Sequence, residues 1–311
     1  MIHYIKTILA SIAVLFPLSV SATRTVHIIE SANLHCNDTI VVYSPDIQEH
    51  CCGGKVCHDG GICCNGGGNC RNEGGTCCNG DAGGKVQEGT LPVLFLLHGW
   101  GGSWRNWEES TDLQALCNRF GFRIVCPDGF KDSWYINKTD ETKMQWRDFF
   151  WNELWPLIDS EYGLDPHKTF IDGLSMGGHG AMNIFLDHPD LFAGAGSMSG
   201  VLDLKYSAGS KELIPPMIGA KHIEDPECKA ICAIYRLERI KEICGEDATS
   251  KMLVVSCGSS DTKFLPASED FVRKCQDMGL KHIALFSPGK HRWEYWTWVL
   301  PFHIEWFSQN I

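Results

Sequence analysis

Positive charge is in short supply. The chain of 311 residues carries 27 Lys and Arg against 38 Asp and Glu, a formal net charge of −11. That deficit excludes the basic footprint that nucleic-acid binding requires. Long apolar runs are scarce as well. One opens the chain, in "MIHYIKTILASIAVLFPLSVSA", and extends from Ile8 to Val20. It is too short for a spanning helix and contains Pro17, and no later stretch approaches spanning length, so stable membrane insertion is not expected. Residues 51–80, "CCGGKVCHDGGICCNGGGNCRNEGGTCCNG", lack any aliphatic run. Such a segment cannot bury an apolar core of its own.

What is present points to export. Lys6 precedes the apolar run, and Val20 and Ala22 occupy the positions a signal peptidase reads. Residues 1–22 are therefore expected to be a secretory signal, and the mature protein to be secreted. All 16 cysteines lie beyond it. An even, high cysteine number suits an oxidising compartment. Two N-x-S/T sequons stand at Asn37 and Asn137, acceptors only in a host that glycosylates.

Half of the cysteines fall in 51–80, as the doublets Cys51-Cys52, Cys63-Cys64 and Cys77-Cys78 with Cys57 and Cys70 between them. The two halves are near-repeats, with spacing that resembles small knottin- or granulin-like modules. Adjacent cysteines bridge each other only with strain, so each doublet should tie to others. The eight suit four bridges, although about 105 pairings are open. Thiolates also ligate zinc, but export favours disulfides and no metal is expected. Residues 49–85 are thus expected to form a disulfide-stapled insertion within a domain spanning 23–311. The insertion supplies no nucleophile or base; binding polymer, rimming a cleft or resisting proteolysis are its expected roles. Elsewhere, Cys228, Cys232 and Cys244 are candidates to staple the irregular region 203–250. Cys117, Cys126, Cys257 and Cys275 read as buried thiols on core elements.

Along the chain, "TVHIIE" (25–30) and "TIVVYS" (39–44) alternate and are rich in β-branched residues, as strands are. "LPVLFLLHGWGG" (91–102) is a continuous apolar run into glycines, the pattern of a parallel strand buried on both faces. Strand-like and helix-like segments then take turns to the end, where "WEYWTWVLPFHIEWF" reads as a helix with a kink at Pro301. That alternation predicts a doubly wound, mostly parallel α/β sheet with helices on both faces. Residues 203–250 are candidates for a cap over the strand ends.

"TFIDGLSMGGHGAM" (169–182) holds Gly173-Leu174-Ser175-Met176-Gly177, a G-x-S-x-G pattern with a strand before it and a helix after. The glycines permit the sharp turn that exposes a nucleophilic serine, and the amide of Met176 points where an oxyanion would form. "LLHGWGG" offers the Trp100 amide as a second oxyanion donor. "VVSCGSSDTKF" puts Asp261 after the next-to-last strand, and "SPGKHRWEYW" puts His291 after the last. Nucleophile, acid and base thus follow in the chain order of an α/β-hydrolase, each at a strand's carboxyl end. Asp128 and Asp172 are weaker acids, since both precede the serine. His98 belongs to the first turn, and His179 reads as a packing residue inside a helix.

"LLHGWGG", "GLSMGGHGAM", "GSSD" and "PGKHRWEYW" together resemble the esterase family of α/β-hydrolases. That family includes esterase D (S-formylglutathione hydrolase), secreted feruloyl and acetyl esterases, and mycolyltransferases. The resemblance covers residue 25 to the end, apart from the Cys/Gly segment. It implies Ser175 as nucleophile, His291 as base, Asp261 as acid, and the Trp100 and Met176 amides as oxyanion hole. It implies no cofactor. The Cys/Gly insertion departs from the cytosolic thioesterase branch and argues against a glutathione thioester.

Aromatic residues gather near the same edge: Trp100, Trp104, Trp107, Trp134, Tyr135 and Trp293. Trp134, Trp104 and Trp293 are the candidate substrate-binding residues. Aromatic walls suit sugars and phenolic acyl groups alike. The expected activity is hydrolysis of feruloyl or acetyl esters of carbohydrate, including polysaccharide. The alternatives are a general short-chain esterase, a thioesterase, an acyltransferase of the same fold, and a non-catalytic carbohydrate-binding protein.

Overall fold

Val93–Leu97 is apolar at every position, and every position is buried. A strand with no solvent face needs a neighbour on each edge and a layer on each face. The computed structural model supplies both. It describes residues 24–46, 51–52, 55–56, 91–206, 208–309 and 311. The expected signal (1–22) and all but four residues of the 49–85 insertion lie outside the described residues. Of those four, Cys51–Cys52 pairs antiparallel with Lys55–Val56.

The main sheet has eight strands. In chain order they are β1 (Arg24–Ser31), β2 (Cys36–Tyr43), β3 (Val93–Leu97), β4 (Arg123–Cys126), β5 (Thr169–Gly173), β6 (Gly194–Met198), β7 (Met252–Gly258) and β8 (His282–Ser287). Their spatial order is β1-β2-β4-β3-β5-β6-β7-β8. β1 and β2 form an antiparallel hairpin joined antiparallel to β4; the other pairings are parallel. This is the mostly parallel α/β sheet expected from the alternation of segments.

Two apolar layers cover the sheet. Phe95, Leu97, Ile171, Phe149, Phe150 and Phe185 belong to one. Leu94, Leu96, Phe170, Val254, Val299 and Phe307 belong to the other. Alternate residues of β3 and β5 therefore face opposite cores, as the period of a strand demands.

One helix on the first layer begins at Trp146 and passes through a π-helical turn, Phe150–Leu154, before Trp155–Tyr162. The turn adjoins a run of contacting rings: Phe150 against Trp151, and Trp151 against Trp155. The terminal helix runs unbroken over Trp293–Ser308 with Pro301 inside it. Cys228, Cys232 and Cys244 do not staple the 203–250 region: all three are free thiols. Cys117, Cys126, Cys257 and Cys275 are buried free thiols, as expected.

Candidate active site

Strand β5 ends at Gly173, and the next helix, Met176–Phe185, begins immediately after Ser175. Only a tight reversal connects them. Ser175 adopts φ 52° and ψ −114°, a region that costs an L-residue on the order of 1–3 kcal/mol. Two glycines make the turn possible. A Cβ on Gly173 would stand 2.5 Å from the Gly177 carbonyl carbon, and one on Gly177 would stand 2.4 Å from Leu97 O. The helix is thus packed directly against the end of β3. Ser175 N–H donates to Met198 O at 2.9 Å, which ties the turn to β6.

The structure brings Ser175, His291 and Asp261 together. His291 Nε2 is 2.9 Å from Ser175 Oγ, and Nδ1 is 2.7 Å from Asp261 Oδ2. A carboxylate accepts only, so Nδ1 carries the proton and Nε2 presents its lone pair to the serine hydroxyl. The Asp261 side chain is 2% exposed and that of His291 30%. Phe264 stacks on the imidazole at 4.3 Å, and Trp296 meets it edge-on at 4.8 Å. The ring is therefore clamped from two directions.

The loop after β3 stands beside the serine. A Cβ on Gly99 would lie 2.5 Å from Leu174 Cδ1 and 3.4 Å from Ser175 Cβ. Tyr135 O–H donates to His98 O at 2.8 Å, and Gly101 N–H to Lys131 O at 2.7 Å. Gly102 N–H is committed to Gly99 O. Met176 is the first residue of its helix, so its N–H has no partner within that helix.

These groups border a cleft of about 600 Å³. Its walls include Trp100, Trp134, Trp293, Val201, Leu213 and Phe264, with Lys263 and Asn106 as polar members. Trp100 lines this cleft and is 54% exposed as a residue, with Lys131 Nζ 5.7 Å from its ring centre. Leu213 comes from the 203–250 region, which therefore contributes to the rim. Trp104 is not among the lining residues. Its ring is taken up by Arg105 and Arg24, whose guanidinium carbons stand 4.7 and 5.8 Å from it.

The two weaker acids have other partners. Asp128 Oδ1 accepts from Phe130 N–H and lies 3.3 Å from His98 Nε2. Asp172 pairs with His303. His179 is fully buried, its Nδ1 is 3.1 Å from Val201 O, and burial pulls its pKa down to about 4. Phe264, Trp296 and Leu213 were not singled out from the sequence. Phe264 alone of these left a signal, since it closes the "DTKF" turn that carries Asp261. No group of three or more His, Cys, Asp or Glu able to hold a metal ion occurs among the described residues.

A mostly parallel sheet with a serine at a strained strand-to-helix turn defines an α/β-hydrolase. The chain belongs to the Esterase family, whose model matches residues 84–305. It is 25% identical over 237 residues to the acetyl esterase of Caldicellulosiruptor saccharolyticus, covering 72% of this chain and 86% of that protein. It is 28% identical over 247 residues to the diacylglycerol acyltransferase/mycolyltransferase Ag85A of Mycobacterium leprae, covering 66% and 71%. Among solved structures, a ferulic acid esterase shares the fold with a TM-score of 0.68 at 20% identity, covering 93% of this chain and 99% of that one.

Proposed function

We propose that this protein is a secreted serine esterase that cleaves acetyl or feruloyl esters of carbohydrate through an acyl-enzyme on Ser175. The observation that supports the mechanism is the chain of two short hydrogen bonds from Ser175 through His291 to Asp261 at the cleft. His291 Nε2 takes the serine proton as Oγ attacks the ester carbonyl. Asp261 holds the imidazole in the required tautomer and stabilises the imidazolium. The amides of Met176 and Trp100 receive the tetrahedral oxyanion, each contributing roughly 3 kcal/mol. The imidazolium then protonates the departing alcohol, and water, activated by His291, releases the acid. No metal or organic cofactor enters this chemistry.

The substrate class rests on the tryptophan-lined cleft and on similarity to an acetyl esterase. Trp134 and Trp293 are the wall residues proposed to hold the acyl group or the sugar. Secretion rests on the N-terminal sequence. Acyl transfer to a sugar or lipid hydroxyl is a second reading, supported by similarity to the Mycobacterium leprae enzyme. Both readings share the acyl-enzyme and differ in the acceptor.

The test compares the wild type with Ser175→Ala on acetyl, butyryl and feruloyl esters and a formyl thioester. Hydrolysis of the acetyl or feruloyl ester that disappears in the variant is the expected result. Equal hydrolysis by the variant contradicts the mechanism. Preference for the thioester contradicts the substrate class.

A further inference from the structure

Ser256, His303 and Asp172 form a second serine–histidine–aspartate chain away from the cleft. His303 Nδ1 is 2.7 Å from Asp172 Oδ2, and Nε2 is 2.8 Å from Ser256 Oγ. All three residues are 0% exposed. No substrate reaches Ser256, so this chain cannot act as a nucleophilic site. What it can do is hold elements together.

Each member sits on an element that adjoins a member of the first chain. Asp172 lies in β5, just before the turn of Ser175. Ser256 lies in β7, which leads into the loop of Asp261. His303 lies in the terminal helix, which starts just after His291. β5 and β7 are not neighbours, because β6 runs between them. The bridge passes β6 at Gly196, where a Cβ would stand 2.3 Å from the Asp172 carboxylate carbon. Glycine at that position leaves room for the carboxylate. Its other oxygen accepts from Gly173 N–H at 2.7 Å, so both oxygens are engaged.

His303 interrupts an otherwise apolar buried stripe of Val299, Leu300, Ile304 and Phe307. An aliphatic residue there would avoid the desolvation of an imidazole. A fully satisfied buried polar network rigidifies and specifies one arrangement, which packing alone specifies less strictly. Three elements pinned at one point cannot slide past one another.

We propose that His303 is a positioning residue for ester cleavage. Through Asp172 and Ser256 it holds β5, β7 and the terminal helix in the register that aligns Ser175, Asp261 and His291. It touches no substrate. The proposal rests on the acyl-enzyme reading above. Its leverage is geometric, since a shift of about 1 Å arising far from the chemistry can cost on the order of a hundredfold in rate.

The test measures kcat and KM for wild type, His303→Leu, His303→Asn and Ser256→Ala, with active sites counted by fluorophosphonate titration. Counting sites separates misfolding from misalignment. For His303→Leu, kcat per titrated site should fall at least about tenfold with KM changed less than about twofold. His303→Asn keeps an N–H donor toward Asp172 and should recover most of that loss. A folded His303→Leu protein with kcat per site within about twofold of wild type overturns the proposal, even if its Tm is lower. Should His303→Leu fail to fold, Ser256→Ala decides, because it leaves the buried pair intact. A fall of about threefold per site supports positioning, and no change overturns it. A wild type that hydrolyses no ester and takes up no fluorophosphonate defeats the acyl-enzyme reading itself, and this proposal with it.

Discussion

His291 Nε2 stands 2.9 Å from Ser175 Oγ across 116 residues of chain. The contact exists because β5 and β8 end on the same edge of the sheet and because Phe264 and Trp296 hold the imidazole. Asp261 completes the hold by accepting from Nδ1. Asp261→Asn keeps the shape but lets the amide donate to Nδ1, which places the proton on Nε2. The expected loss in kcat is about 10⁴-fold, with little change in KM. Steady-state kinetics on the preferred ester check this. A loss below about tenfold would remove Asp261 from the mechanism.

Gly177 is where the helix of the serine turn meets β3. A methyl group there would lie 2.4 Å from Leu97 O and 2.6 Å from His98 O, and neither carbonyl is a flexible side-chain end. Gly177→Ala should cost about 3 kcal/mol or more, because backbone must move to accept it. Urea unfolding measures it. The same movement displaces the loop of Trp100, so activity per folded molecule should fall too.

Burial pulls the His179 imidazole down to about 4 from an ordinary 6.5. The unfolded chain therefore binds this proton first as pH falls. The contribution to stability is complete above pH 6.5, declines between 6.5 and 4, and is level below that. Its full extent is about 3 kcal/mol. Tm measured from pH 7 to pH 4 should fall less steeply in a folded His179→Gln protein. Parallel curves for the two proteins would show that this histidine is not what titrates.

Asp187 is shared by two arginines. Arg147 Nη2 and Arg236 Nη2 each donate to Oδ1 at 2.6 Å, and Arg147 Nε donates to Oδ2. Burial alone would raise the carboxyl, yet the two guanidinium groups hold it below the usual carboxylate range. The cluster joins the end of the Met176–Phe185 helix to the segment around Arg236, which also donates to Asn183 O. Asp187→Ala leaves two largely buried cations facing each other and should cost about 3–5 kcal/mol. Thermal unfolding checks the loss. Asp187→Ala with Arg236→Met should recover part of it.

That Ser175, Asp261 and His291 would meet at one edge was legible because each follows an apolar strand in an order the chain itself displays. Ser175, Asp261 and His291 required only strand ends to be read correctly. Trp134 and Trp293 were legible as wall residues for the same reason. Trp104 looked equivalent, but which way a side chain in a loop turns depends on its neighbours, here Arg24 and Arg105. The link between Asp172 and His303 could not be read at all. It joins residues 131 positions apart, and an aspartate beside the serine turn is indistinguishable in sequence from a discarded triad acid. The same limit hid Trp296 and left Phe264 marked only by its place in the "DTKF" turn, since both act by contact with an imidazole that only the fold brings to them. The expected staple at Cys228, Cys232 and Cys244 rested on three cysteines falling in one irregular region of a chain expected to be exported, and nearness in sequence sets no distance between side chains.

The central claim is that Ser175 becomes acylated. Reaction of the folded wild type with a fluorophosphonate, followed by peptide mass spectrometry, tests it most directly. A single adduct on the peptide containing Ser175, prevented by a competing acetyl or feruloyl ester, is the predicted result. An adduct on any other serine, or none on a folded protein that hydrolyses esters, would contradict the account.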